Sequence, residues 1–216
     1  MATVLITGGT GYMGRALIPE LVRRGHRVRA LVRPGSKGKL APQAEAVRGN
    51  ALDAASIASA LASADTLIQL VGVAHPSPAK ARQFQEIDLA SAKASVEAAG
   101  KCGVGHFVYV SVAHPAPVMK EYIAARTGAE RRIVEAGLNA TILRPWYVLG
   151  PGHRWPLFLV PIYQVLEWIP ATRAGAVRLG LVTLRQMVGA LARAVEHPAT
   201  GIRVLETGEI RKAQSF

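Results

Sequence analysis

The 216-residue chain predicts an α/β fold, a doubly wound parallel sheet with a short irregular insert near its end. Three observations carry that expectation. Short apolar runs alternate with longer amphipathic ones along most of the chain, the pattern of strand and helix in turn. Most of the short runs are dominated by apolar residues, as strands covered on both faces are. A glycine-rich turn stands between the first short run and the first long one.

Taken in order, TVLIT (Thr3–Thr7) reads as the first strand and YMGRALIPELVRRG (Tyr12–Gly25) as the first helix, stopped by its glycine. RVRALV (Arg27–Val32) is the second strand, a basic Gly/Pro loop follows, and AEAVRG (Ala44–Gly49) is the third strand. DAASIASALAS (Asp53–Ser63) is a helix that Asp53 suits as N-cap, although the same residue could touch a bound adenosine. TLIQLVG (Thr66–Gly72) is the fourth strand, and helix Gln83–Gly103 leads to strand HFVYVS (His106–Ser111). A helix over 118–136 and strand NATILR (Asn139–Arg144) come next. Prolines, Trp155, Trp168 and several arginines break the rhythm between Pro151 and Gly180. LVTLRQMVGALARAVEHP (Leu181–Pro198) and GIRVLET (Gly201–Thr207) close the chain as a helix and a strand. The whole, residues 1–216, reads as one domain with 151–180 as a covering insert.

Half of the residues are hydrophobic, enough for a sizeable core. The single cysteine, Cys102, excludes an intramolecular disulfide, fits a reducing cytoplasm and reads as packed rather than reactive. MATVLITGG runs straight into a strand without a signal-peptide pattern. The longest apolar tract, Trp155–Pro170, is too short and too broken by proline to cross a bilayer, so no integral membrane segment is expected. The net charge is +12, but the 26 Lys and Arg are scattered. That describes a basic surface able to draw anionic ligands rather than a nucleic-acid footprint. No His/Cys/Asp spacing suggests a metal site.

The chemistry begins at TGGTGYMG, between first strand and first helix. Gly8, Gly11 and Gly14 there permit a tight turn and close approach to a pyrophosphate, while the helix N-terminus offers free N–H groups. Thr10, Tyr12 and Met13 share the loop. No Asp or Glu occurs between Glu20 and Glu45, where an acid would bind a ribose 2′-hydroxyl. Arg33, helped by Lys37 or Arg15, suits a 2′-phosphate instead, so NADP is expected with NAD as the alternative. Further on, YIAAR places Tyr122 and Arg126 four residues apart, on one face if helical. A cation there can favour a phenolate, or the pair can be ordinary helix surface. Ser111 ends a strand on the side where such sheets bind ligands. His75 and His114 each follow a strand end and are candidates for orienting a substrate, or plain loop histidines.

In these motifs the chain resembles the short-chain dehydrogenase/reductase superfamily, in its atypical or extended NAD(P)-binding branch, over nearly its whole length. TGGTGYMG matches that branch's opening, and Arg48–Asp53 resembles its G-D-x-x-D stretch near the adenine, with Asn50 for the first Asp. The resemblance implies a Rossmann fold with Asn50, Ala51 and Leu52 near the adenine. It also puts Val71, Gly72 and Val73 at the fourth strand's approach to the cofactor, and Pro145 and Trp146 beyond the sixth strand. It further implies that Tyr122 moves a proton at a substrate oxygen held by Ser111. Arg126 then stands where the family has a lysine that grips the nicotinamide ribose and depresses the tyrosine pKa. Arg is not interchangeable with Lys, and the Ser111-to-Tyr122 interval is short for the family.

Trp146, Trp155, Phe158, Tyr163 and Trp168 follow the sixth strand, as an apolar lid, a homo-oligomer or membrane-surface patch, or core of the insert. Three functions are open from sequence. One is an NADP(H)-dependent oxidoreductase of a small apolar carbonyl or alcohol. Another is a non-catalytic dinucleotide-binding protein of a regulatory or respiratory-complex kind. The third is a sugar-nucleotide epimerase or dehydratase, whose relatives usually carry a larger C-terminal domain.

Overall fold

A computed structural model describes residues 1–152 and 175–213, leaving the side chain of Lys37 aside. Trp155, Phe158, Tyr163, Trp168 and most of the expected insert lie outside the described residues. Strands β1 (Thr3–Thr7), β2 (Arg27–Val32), β3 (Glu45–Arg48), β4 (Thr66–Gln69), β5 (His106–Val110), β6 (Ala140–Arg144) and β9 (Ile202–Glu206) form one sheet. Its order is β3-β2-β1-β4-β5-β6-β9, and every pairing is parallel. Parallel strands need covering on both faces, and they have it. Helices α1 (Tyr12–Arg23), α6 (Leu184–Glu196) and α7 (Thr207–Lys212) cover one face with Ile18, Leu191 and Ile210. Helices α2 (Ala54–Ala60), α4 (Ala90–Cys102) and α5 (Lys120–Glu135) cover the other with Ile57, Val96 and Ile133. Phe107 and Tyr109 of β5 face this second core, while Val108 and Val110 face the first.

Three departures from the sequence reading have local causes. The helix expected over Gln83–Gly103 is not continuous: α3 (Ala81–Gln83) passes into a π-helical turn over Phe84–Leu89 before α4 begins. The segment expected to be wholly helical from Leu181 starts as strand β8 (Leu181–Thr183), paired with β7 (Tyr147–Leu149). Thr183 then opens α6 in a capping box with Gln186, a reciprocal side-chain bond that fixes where the helix begins. Finally α7 follows the last strand, capped by Glu206 and Glu209. Asp53 takes the N-cap role, accepting from the N–H groups of Ala55 and Ser56. At the outer edge β3 is four residues long, and its Glu45 pairs with Arg27 at 3.1 Å.

Candidate cofactor and active site

The site is built on the C-terminal ends of β1, β4, β5 and β6. At the end of β1, Gly8 holds φ +79°, and a Cβ there would sit 2.8 Å from backbone atoms of Leu70 and Val71. The turn therefore requires glycine twice over, for conformation and for space. A Cβ on Gly14 would lie 2.6 Å from Gly9 Cα, so α1 packs against the loop only because that position is bare. Gly11 is the N-cap of α1 and supplies no side-chain cap, which leaves the first N–H groups of the helix for a ligand.

Two cavities meet at this loop. One, of about 510 Å³, is lined by Gly8, Thr10, Gly11, Arg33, Asn50, Ala51, Leu52 and the loop from Val71 to Ala74. Arg33 is exposed at its rim. Asn50 Oδ1 accepts from Leu52 N–H at 3.1 Å, and this local turn holds the stretch in place. The other cavity, of about 620 Å³, is lined by Tyr12, Met13, Gly14, Arg15, His75, Val110, Tyr122, Arg126, Pro145 and Trp146. Both share Gly72, Val73 and Ala74 as a common wall. A bipartite cavity joined over a glycine-rich helix N-terminus fits a dinucleotide, with phosphates at the junction. A further groove of about 640 Å³ between α1 and α6 holds none of the residues singled out by sequence.

In the second cavity Tyr122 is half-buried on the first turn of α5, its ring 5.0 Å from that of Phe84 on the π-helical turn. The Arg126 guanidinium lies 5.1 Å from the Tyr122 ring and is buried. Its Nη1 donates to the Val110 carbonyl at 2.9 Å and its Nη2 to Asp88 Oδ1 at 2.6 Å. Burial opposes the charge of Arg126, but Tyr122, Tyr109 and Asp88 more than offset that and raise its pKa. Burial also pushes the Asp88 carboxyl up, against the pull of Arg126 and of the Val73 N–H. With a guanidinium and a backbone N–H on its oxygens, Asp88 is the anion of an ion pair. Burial pushes the Tyr109 phenol up to about 12, with Arg126 pulling the other way. Burial, then Tyr147, raises the Tyr12 phenol. His75 sits at the rim with φ 49°, a left-handed conformation uncommon for a residue with a Cβ.

Ser111 and His114 do not line either cavity. The Ser111 hydroxyl donates to Glu130 Oε1 at 2.5 Å on the α5 side of the sheet. Glu130 also takes Arg144 Nε at 3.0 Å, and His114 Nε2 lies 3.6 Å from its other oxygen. Ser111 and His114, expected beside Tyr122 at the cleft, meet instead at Glu130 in this structure. Ser111 continues the face of Tyr109, the α5 face of the sheet, and meets α5 at Glu130, further along the helix than Tyr122. Sequence reasoning missed Asp88 and Glu130. A signal for Asp88 existed: Phe84, Asp88 and Ser91 fall at helical spacing on one buried stripe, where an acid requires a buried cation.

A family model described as NAD(P)H-binding matches residues 8–152. The chain belongs to that family. Among relatives, this NAD(P)H-binding protein is similar to a ceramide reductase of Caulobacter vibrioides, 26% identical over 97% of this chain and 65% of that protein. It is also similar to a 3 beta-hydroxysteroid dehydrogenase/Delta 5→4-isomerase of Mycobacterium tuberculosis, 32% identical over 51% of this chain and 32% of that one. The chain thus spans less than two thirds of the length of either relative. Among solved structures, the Bordetella bronchiseptica enzyme WbmH in complex with NAD+ superposes with a TM-score of 0.71 at 21% identity, over 96% of this chain and 76% of that one. That likeness shows the fold. Among the described residues no helix is long and apolar enough to cross a membrane, and no group of His, Cys, Asp or Glu is placed to hold a metal ion.

Proposed function

We propose that this protein is a cytoplasmic, NADP(H)-dependent oxidoreductase that interconverts a small, fairly apolar carbonyl and its alcohol. The observation that carries the reading is the pair of cavities joined over the α1 N-terminus, with a phenol on the wall of the second. In this reading Gly8, Thr10, Gly11 and the free N–H groups of α1 bind the pyrophosphate. Asn50, Ala51 and Leu52 flank the adenine, and exposed Arg33 takes the 2′-phosphate. Bound there, the nicotinamide supplies or accepts the hydride. Tyr122 donates the proton to the substrate oxygen during reduction and takes it back during oxidation. Phe84 fixes the ring plane of Tyr122, and Pro145, Trp146 and Met13 form an apolar wall for the substrate. Two relatives named for a ceramide and a hydroxysteroid support an apolar substrate.

One observation favours a second reading, a dinucleotide-binding protein without turnover. Ser111 is turned away to Glu130, and the cation of Arg126 is already engaged by Asp88. The test is a calorimetric titration with NADPH and NADH, followed by a turnover screen against a panel of apolar ketones and aldehydes. Micromolar NADPH affinity with NADPH oxidation is the expected result. Failure of both nucleotides to bind would sink both readings together.

A further inference from the structure

Under the wall shared by the two cavities runs a chain of buried polar groups that none of the roles above uses. Gln69 Oε1 accepts from Thr7 Oγ1 at 2.6 Å and from the Val71 N–H at 2.8 Å. Gln69 Nε2 donates to Ser91 Oγ at 2.9 Å, and Ser91 donates to the Asp88 carbonyl at 3.1 Å. The Asp88 carboxylate then divides its oxygens: Oδ2 accepts from the Val73 N–H at 2.9 Å, and Oδ1 from Arg126 at 2.6 Å. The two N–H groups flanking Gly72 are thus held from below by side chains, one by Gln69 and one by Asp88. Gly72 itself must be bare, because a Cβ there would collide with Arg126 Nη2. Asp88 lies within the π-helical turn and is fully buried.

We infer that Asp88 is a positioning residue of this site. It makes Arg126 one half of a neutral strut between α5 and the Gly72–Val73 wall, so that Arg126 serves the cleft by fixing its shape rather than by offering it a positive charge. The effect on nucleotide binding rests on the dinucleotide reading above, whereas the strut itself does not. Three facts support it. Asp88 is fully buried and Arg126 is 6% exposed, so neither charge is compensated by water. The guanidinium spends Nη1 on a strand-end carbonyl and Nη2 on the carboxylate, a planar fork that an ammonium cannot reproduce. The carboxylate, in turn, is the link between that fork and the wall.

The test uses the full chain with Asp88→Asn, Arg126→Gln and the double variant, read by melting temperature and by the dissociation constant for NADPH. Each single variant leaves one buried charge unmatched. It should lower the melting temperature by about 10 °C and weaken NADPH at least tenfold. The double variant removes both charges, so it should bind NADPH at least about threefold more tightly than either single variant. A double variant as weak as Arg126→Gln alone would overturn the inference, because the cation would then be needed for itself. Singles that bind and melt like wild type would overturn it equally. Should the substituted proteins not fold, amide hydrogen exchange of unmodified protein decides the matter. The Val73 N–H, though in a loop, should exchange at least 10³-fold more slowly than an open amide, and fast exchange would refute the strut. A wild type that binds no dinucleotide would refute the cofactor reading alone, leaving the strut to melting temperature and exchange.

Discussion

Substituting Gly11 by aspartate separates folding from binding at one position. Gly11 has φ −79° and ψ −179°, an extended conformation that any residue adopts, and an added Cβ meets only Gly8 O, at 3.1 Å. Aspartate is also a favoured N-cap, and its carboxylate can accept from the N–H of Met13 or Gly14 while complementing the helix dipole. Those terms amount to about 0.5–1 kcal/mol in favour of the fold, less what the tight approach to Gly8 O takes back. The melting temperature should therefore hold or rise by about 1–3 °C. Binding should move the other way. The carboxylate occupies the donors intended for the pyrophosphate and adds a negative charge beside it. Two charge-assisted hydrogen bonds lost at about 1.5–3 kcal/mol each give at least about 3 kcal/mol, or roughly 10²-fold in affinity. Differential scanning calorimetry and an NADPH titration on the same preparation measure both. Affinity within threefold of wild type would remove the loop from the account. A lost fold would refute the claim that the position is bare for the ligand's sake.

Other expectations follow from the same geometry. Arg33→Asp should turn a preference for NADP into one for NAD, compared by competitive titration; wild type that already binds NAD more tightly refutes the role given to Arg33. Tyr122→Phe should keep NADPH affinity, since the ring and its contact with Phe84 persist, while turnover falls by about 10²–10⁴; undiminished turnover would strike Tyr122 from the mechanism. His106 is buried, its Nε2 3.0 Å from Thr141 Oγ1, and burial, then Arg203, lowers its pKa to about 4. The unfolded chain takes up that proton first, so stability is full above about pH 6.5 and declines as pH falls toward about 4, by up to about 2–3 kcal/mol. Urea midpoints at pH 7 and pH 4.5 should differ less in His106→Gln than in wild type, and equal differences would contradict the assignment.

The sheet was legible because its central strands β1, β4, β5 and β6 are buried on both faces and so read as unbroken apolar words, as in Leu5–Ile6 or Phe107–Val110. The phosphate loop was legible because its glycines answer to steric demands that hold wherever a strand turns into such a helix. The Ser111 side was not: its hydroxyl is taken by Glu130, 19 residues on in the sequence, and no local spacing joins the two. The pairing of Asp88 with Arg126 was hidden in the same way. The two residues are 38 apart in sequence and on separate helical segments, so no local spacing announces that they meet. Strand β7 and helix α7 are short and depend on their neighbours, β8 in one case and a reciprocal glutamate cap in the other.

The four-residue β3 has a bearing on self-association. A sheet invites aggregation where a long, flat, apolar edge leaves its amides and carbonyls open to another chain's strand. Here that border is too short to template much of a ladder, begins at Glu45 and ends at Arg48, and its acid already answers Arg27 of the adjoining strand. A second copy arriving there would meet charge before backbone, so a surface rich in arginine coexists with an open sheet border without fibre-like stacking through β3.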